Sequence, residues 1–202
     1  MISIFTEGEW DTPFIRELIK RVFGQDMLED IRIIDTNGYT ALGLNQPLFQ
    51  ETTDAGGVNL VIYDAVAANN GGGYQNRYEY LMSEKQKLGL EFNLFLFPNN
   101  QDEGMFETLL ESIVNETHKS LIGCFEGYLN CVNENGKANG IDYTLPAQKA
   151  KMFAYIESIM SPGEFKTARN KQSWGYSNDD IWDFDSPHLD SLKDFLRAHI
   201  QK

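Results

Sequence analysis

Val58-Asn59-Leu60-Val61-Ile62-Tyr63-Asp64 runs apolar residue after apolar residue, where a half-exposed strand would alternate. Such a run has no wet face, so it reads as a strand covered on both sides, as at the centre of a parallel sheet. Parallel neighbours need crossover connections, and the flanking sequence supplies them. Upstream, Ile2 to Phe5 is a short apolar run ending at Glu7-Gly8, and Ile31 to Thr36 is a second strand. Between them Phe14, Ile15, Leu18, Ile19, Val22 and Phe23 recur at the three-to-four spacing of one buried helical face. Asp11 or Thr12 is placed to cap that helix, with Pro13 at its first position and Gly24 at its end. Downstream, Tyr74 to Leu88 is helical in composition and spacing, and Phe92 to Phe97 is a fourth strand stopped by Pro98-Asn99-Asn100. Met105, Phe106, Leu109, Leu110, Ile113 and Val114 mark a further amphipathic helix after Gly104. Strands alternating with helices predict an open, mostly parallel α/β sheet of about four strands flanked by helices.

Beyond about Glu116 no strand is expected. Leu121, Ile122, Phe125, Tyr128, Leu129 and Val132 mark one helix, and Ala150, Phe153, Ile156, Ile159 and Met160 another. A polar loop from Asn133 to Asp142 separates them. The stretch Ser161 to Asp185 reads as irregular; its acidic-aromatic part from Trp174 to Asp185 would either bind a cation or a partner or, the plainer reading, fasten a C-terminal extension to the core while its carboxylates face water or cap a helix. Ser186-Pro187 caps a last helix. The expected organisation is an α/β core over residues 1–115 and a helical C-terminal extension over 116–202, packed as one structural domain.

Of the 202 residues, 17 are Lys or Arg and 30 are Asp or Glu, a formal charge of −13. That surface repels phosphate backbones and disfavours sequence-independent nucleic-acid binding, leaving only a local or cation-bridged phosphate contact. Two cysteines exclude a disulfide-dense scaffold and a four-cysteine zinc site. Cys124 and Cys131, two turns apart on one helix, read as core thiols. The N-terminus carries no cationic region, and no apolar run approaches the ~18 residues of a membrane span. The expectation is a soluble, cytoplasmic protein without a membrane partner. His118, His188 and His199 are scattered, and no Gly-x-Ser-x-Gly elbow is present.

Ligands of open α/β sheets bind beyond the carboxyl ends of the strands, and here those ends are acidic or amidic. The first strand delivers Glu7, then Glu9 and Asp11; the third delivers Asp64; the fourth delivers Asn99 and Asn100, then Asp102 and Glu103. Clustered carboxylates persist where a cation neutralises them, and oxygen donors suit Mg²⁺ or Mn²⁺. The plainer reading makes Asp11 a helix cap and Asp64 and Asn99 turn residues. Gly71-Gly72-Gly73 before a helix would either cradle a phosphate or serve as a flexible turn, and Arg77 one turn later would meet a phosphate or face solvent. No Gly-Lys-Ser/Thr follows, so this is not a P-loop.

Thr6-Glu7-Gly8-Glu9-Trp10-Asp11, after a hydrophobic strand and before an apolar helix, resembles the first motif of the Toprim domain, the metal-binding module of topoisomerases, primases and OLD-family nucleases. The second motif is matched by Val61-Ile62-Tyr63-Asp64-Ala65-Val66. With Phe95 to Asn100, Gly104 to Glu107 and Trp182 to Pro187 in order, the chain looks like an uncharacterised bacterial Toprim-like family, a Rossmann-like fold. The resemblance implies Glu7 and Asp64 as principal catalytic and metal-site carboxylates, with Glu107 auxiliary. Glu7 would do acid/base work while Mg²⁺ or Mn²⁺ serves phosphoryl transfer on nucleic acid or another phosphodiester. The second carboxylate of the motif is Val66 here, so the alternative is a catalytically degenerate module that binds a protein or small ligand. Asn69 and Asp102 are the candidate substitutes for that lost ligand.

Overall fold

The computed structural model describes residues 1–66 and 72–200; Asn69 and Gly71 lie outside the described residues. Four strands, β1 (Ile2–Thr6), β2 (Ile31–Asp35), β3 (Val58–Asp64) and β4 (Asn93–Phe97), form one sheet in the order β2-β1-β3-β4. Every pair is parallel. The crossovers carry α1 (Asp11–Phe23), α2 (Gln46–Asp54) and α3 (Tyr74–Leu88), and α4 (Phe106–Ser112) follows β4. This is a Rossmann-like α/β sheet, parallel throughout. Leu60, Val61, Ile62 and Tyr63 of β3 are fully buried, as a strand packed on both faces requires.

Side chains alternate between two cores. Phe5, Val61, Tyr63 and Leu96 pack with Phe49 of α2 and Leu81 of α3. On the other face Phe97 meets Phe106 at 5.2 Å between ring centroids, and Phe14 of α1 meets Phe106 at 5.0 Å. The chain therefore steps from β1 to β2 across one face, then returns past β1 to β3 and β4 across the other. β1 and β3 are neighbours whose crossovers leave in opposite directions, so the strand order reverses between them. The crevice beyond their carboxyl ends is where such sheets bind ligands.

The register is tight where β3 begins. Gly57 donates its N–H to the Thr52 carbonyl at 2.8 Å, and Val58 donates to the Met1 carbonyl at 3.2 Å. A Cβ on Gly57 would lie 2.2 Å from that Met1 oxygen, a backbone atom that cannot swing away. Gly57→Ala is expected to cost about 2 kcal/mol in urea unfolding as β1 and β3 are forced apart. A Cβ on Gly43 meets Leu88 at an ordinary 3.6 Å, so Gly43→Ala should stay within about 0.5 kcal/mol.

The chain divides into two compact units, Met1–Leu109 with Phe184–Lys202, and Leu110–Asp183. The sequence reading set the change at residue 116 and carried it to the end; the units change over at 110 and again at 184. The return is made by α8 (Asp190–His199), whose Leu192 and Leu196 are buried and whose Phe195 ring lies 5.4 Å from Phe95 of β4. Ser186-Pro187 opens a 3₁₀ turn, Pro187–Leu189, and α8 starts only after it.

Within Leu110–Asp183 lie α5 (Ser120–Asn139), α6 (Gln148–Ile159) and α7 (Pro162–Asn170). α5 runs through the stretch expected to be a loop and ends at Gly140, whose φ of 67° is the left-handed cap glycine tolerates. α7 occupies the segment expected to be irregular. Ser161 and Glu164 form a reciprocal capping box at its start, with Pro162 in the first turn. Trp174, Tyr176 and Trp182 are core residues of this unit: the Trp182 indole donates to the Trp174 carbonyl at 2.8 Å, and the Tyr155 hydroxyl to the Ile181 carbonyl at 2.6 Å. Cys124 and Cys131 are both exposed on α5, against the core-thiol expectation, because that helix buries only Ile122 and Gly136.

Candidate functional site

Glu7 is the first residue past β1 and Asp64 the last of β3, so strand adjacency alone brings them together across the switch point. The Glu7 Oε2 accepts the backbone N–H of Asp64 at 3.1 Å, and the backbone N–H of Tyr39 also serves this carboxylate. Asp64 Oδ1 accepts the N–H of Phe106 at 2.7 Å, which ties the end of β3 to the start of α4. Glu107, the next residue on α4, is half-buried and acts electrostatically on both.

Asp11 completes the group. It is the first residue of α1, not the cap before it, and its Oδ2 folds back to accept the N–H of Gly8 at 3.0 Å. Only 7% of Asp11 is exposed, so the carboxyl is held inside the turn that follows β1. The sequence reading named Asp11 near the strand end but favoured a capping role. The available signal was its spacing of four residues from Glu7, which a turn and the first helical residue place on the same side.

These acids resist ionisation. Burial lifts the Asp11 pKa to about 8, with the charges of Glu107, Glu7 and Asp35 adding to it against the Gly8 N–H. Burial likewise holds Asp64 well above the usual carboxylate range, reinforced by Asp11, Glu7 and Glu107 and opposed by the Phe106 N–H. Glu7 is raised by burial, while the N–H groups of Asp64 and Tyr39 and the charge of Arg77 pull it back. A cleft of low polarity lined by like charges is the expected cause of such shifts.

The other anticipated residues divide. Arg77, on the first turn of α3, is buried to 7% exposure, and its guanidinium carbon lies 3.4 Å from the Tyr39 ring centroid. Solvated surface, the plainer reading for Arg77, is thereby corrected. Asp102 is not brought to the cluster: it is exposed, its Oδ2 accepts from the Asn99 amide at 2.7 Å, and Asn99 Oδ1 in turn takes the Asp102 N–H. It is a residue of the turn after β4. The glycine cradle is corrected too, because the Gly73 N–H is spent on the carbonyls of Val66 at 2.8 Å and Ala65 at 3.2 Å. Gly72 is buried, and its carbonyl accepts from the Asn76 amide at 2.8 Å.

Val66, where the motif would carry its second acid, has φ of 47°. A β-branched side chain is strained there, since the left-handed region crowds its Cβ. The conformation is pinned from both sides: Val66 donates to the Gly104 carbonyl and accepts from Gly73.

An all-oxygen donor set of Glu7, Asp11, Asp64 and Glu107 has the chemistry for a hard divalent cation. Among the described residues, however, no three His, Cys, Asp or Glu side chains are already arranged to hold a metal ion. Also among them, no helix is long and apolar enough to cross a membrane.

Comparison with known proteins adds a family and no activity. No curated protein and no solved structure matches the chain. The profile of the family described as "Protein of unknown function (DUF3226)" matches residues 2–201, and the chain belongs to that family.

Proposed function

We propose that the β1–β3 switch point is a divalent-cation site for phosphoryl transfer on a phosphate ester, of nuclease or phosphodiesterase type, with Glu7 and Asp64 as its principal carboxylates. The observation that carries this reading is the gathering of three acids at one strand end, Glu7 Oε2 on the Asp64 N–H at 3.1 Å and Asp11 only 7% exposed, with burial raising the pKa of each. Three acids that resist ionisation in one crevice are costly to charge, and a bound cation offsets that cost. Mg²⁺ or Mn²⁺, held by Glu7, Asp64 and the auxiliary Glu107 and Asp11, would supply charge neutralisation for the phosphoryl oxygens. Glu7, with its proton affinity raised and two backbone donors fixing its orientation, is suited to hold or move a proton at Oε1 or Oε2. The likeness of Thr6–Asp11 to the first Toprim motif agrees with these roles. The exposed thiols of Cys124 and Cys131 suit a reducing compartment and support a cytoplasmic setting.

A catalytically silent module that binds a protein or small ligand is the second reading. Val66 in place of the second motif carboxylate favours it, as does the lack of a ready three-ligand arrangement among the described residues.

Calorimetric titration with Mn²⁺ and Mg²⁺ separates the two. Saturable binding in the millimolar range or tighter is expected, weakened at least about tenfold, or about 1.4 kcal/mol, in Glu7→Gln and in Asp64→Asn. Val66→Asp should bind Mn²⁺ more tightly, because aspartate tolerates the left-handed backbone and restores an oxygen ligand. No heat at millimolar metal, in the parent and in Val66→Asp alike, would leave the second reading standing.

A further inference from the structure

The side chain of Arg77 keeps hydrogen-bonding capacity that the carboxylates do not use. Its Nη1 is buried and has no hydrogen-bond partner among the described residues. Nor is Arg77 in any ion pair there, although its charge reaches Glu7. A buried guanidinium N–H without an acceptor is destabilising, so the site gains when an acceptor is supplied. The arginine is nevertheless held in place: its own N–H closes the first turn of α3 on the Gly73 carbonyl at 3.0 Å, and its guanidinium carbon lies over the Tyr39 ring. Tyr39 also supplies a backbone N–H to Glu7, so one residue links the arginine to the acid cluster.

We infer that Arg77 Nη1 is the receptor for a phosphate oxygen, and that the ligand is a small phosphate ester presenting that group on a slender end. This rests on the phosphate-ester reading of the same crevice and narrows it to a substrate class. A guanidinium fork matches the oxygens of a phosphate, whereas the neighbouring carboxylates offer that ligand only repulsion. Size follows from burial. With Arg77 at 7% exposure and its guanidinium beneath the ring of Tyr39, phosphates set along the broad face of a duplex do not reach Nη1, and only a small phosphate group on a slender end suits it. The charge of −13 argues the same way, because repulsion grows with the number of phosphates brought to the surface.

The test is titration with inorganic phosphate, phenyl phosphate and a short DNA duplex, each in EDTA and in Mg²⁺, read by calorimetry and melting temperature. Inorganic phosphate and phenyl phosphate are expected to bind saturably and raise the melting temperature. Arg77→Gln should weaken both at least about tenfold and Arg77→Lys by less, since an ammonium keeps the charge without the fork. Arg32→Gln, at an exposed pair with Glu51, should bind phosphate like the parent. If Arg77 were only structural, Arg77→Gln would melt lower in phosphate-free buffer yet keep the full phosphate-induced shift, and that result overturns the proposal. So would duplex binding tighter than phenyl phosphate, or no phosphate binding in either buffer. Mn²⁺ titration without phosphate reports separately on the cation site. Cation binding without phosphate binding sinks the Arg77 assignment alone, and Arg77-dependent phosphate binding without cation binding sinks the metal reading alone.

Discussion

Raising the pH of the metal-free protein from about 5 to about 9 should lower its melting temperature by roughly 10 °C, and Asp11→Asn should remove the share of that fall that Asp11 carries, leaving that of Asp64 and Glu7. Asp11 releases its proton near 3.8 in the unfolded chain and near 8 in the folded one. Between those values the folded state holds a proton that the unfolded state has lost, so stability falls as pH rises and the loss is complete above about 8. The span is about four decades of proton affinity, at about 1.4 kcal/mol each. Because Glu7 and Asp64 share the same field, about 3–5 kcal/mol is expected at the high-pH plateau for Asp11. Asparagine keeps an oxygen for the Gly8 N–H and carries no charge, so the variant should be the more stable protein above neutrality. Asp64→Asn should behave likewise, keeping Oδ1 for Phe106 while losing the cation binding expected of the parent. Millimolar Mg²⁺ should flatten the parent's pH dependence. Parallel melting curves for parent and Asp11→Asn across the range would show that Asp11 ionises freely and that the electrostatic case for the site is unsound.

That expectation could not have been read from the sequence, for a reason that separates the fold from the site. The strands were legible because burial on both faces leaves a local mark: Leu60 to Tyr63 have no polar residue among them. The parallel sheet followed from the crossover logic once four strands alternated with helices, whereas the order β2-β1-β3-β4 had no local mark. α2 was missed because Gln46–Asp54 buries only Phe49 and Thr52, too few apolar residues to show a period. α7 was missed because its start is set by side-chain caps, while its apolar content is slight. For Glu7 and Asp64, strand adjacency carried the inference. Asp11 needed more, since an aspartate at a helix start looks the same whether it faces water or folds inward. What decides between them is the path of Gly8 to Trp10, and that path has no local signature. The glycine run left two readings open: Gly-Gly-Gly before a helix offers N–H groups or serves as a turn, and the structure spends the Gly73 N–H on two carbonyls. Arg77 had the right place and the wrong surroundings, because Tyr39 comes to it from the far side of β3 in sequence.

Phe14→Ala should cost about 3–5 kcal/mol and, unlike a comparable cavity elsewhere, should disturb the acid cluster. Phe14 is fully buried one turn after Asp11, and its ring rests on Phe106 at 5.0 Å and on Phe184 at 5.5 Å. Phe106 in turn packs on Phe97 at the end of β4, and its backbone N–H is the donor to Asp64. Emptying the Phe14 position removes the support beneath that donor, so the Phe106 N–H loosens its hold on Oδ1. The Asp64 carboxyl then loses the interaction that opposes its raised proton affinity, and the pH at which it ionises moves further up. Phe49→Ala is the control, because Phe49 stacks on Phe5 at 3.7 Å in the core on the other face of the sheet. Both variants should lose similar stability in urea unfolding, with the slope against denaturant unchanged. Only Phe14→Ala should steepen the fall of stability between neutral and alkaline pH and weaken Mn²⁺ binding. An equal effect of the two cavities would mean that the site senses general loosening, and that the route from Phe14 through Phe106 to Asp64 carries nothing of its own. A change confined to Phe14→Ala would show that the aromatic packing beneath the sheet's carboxyl end fixes the electrostatics of the crevice above it.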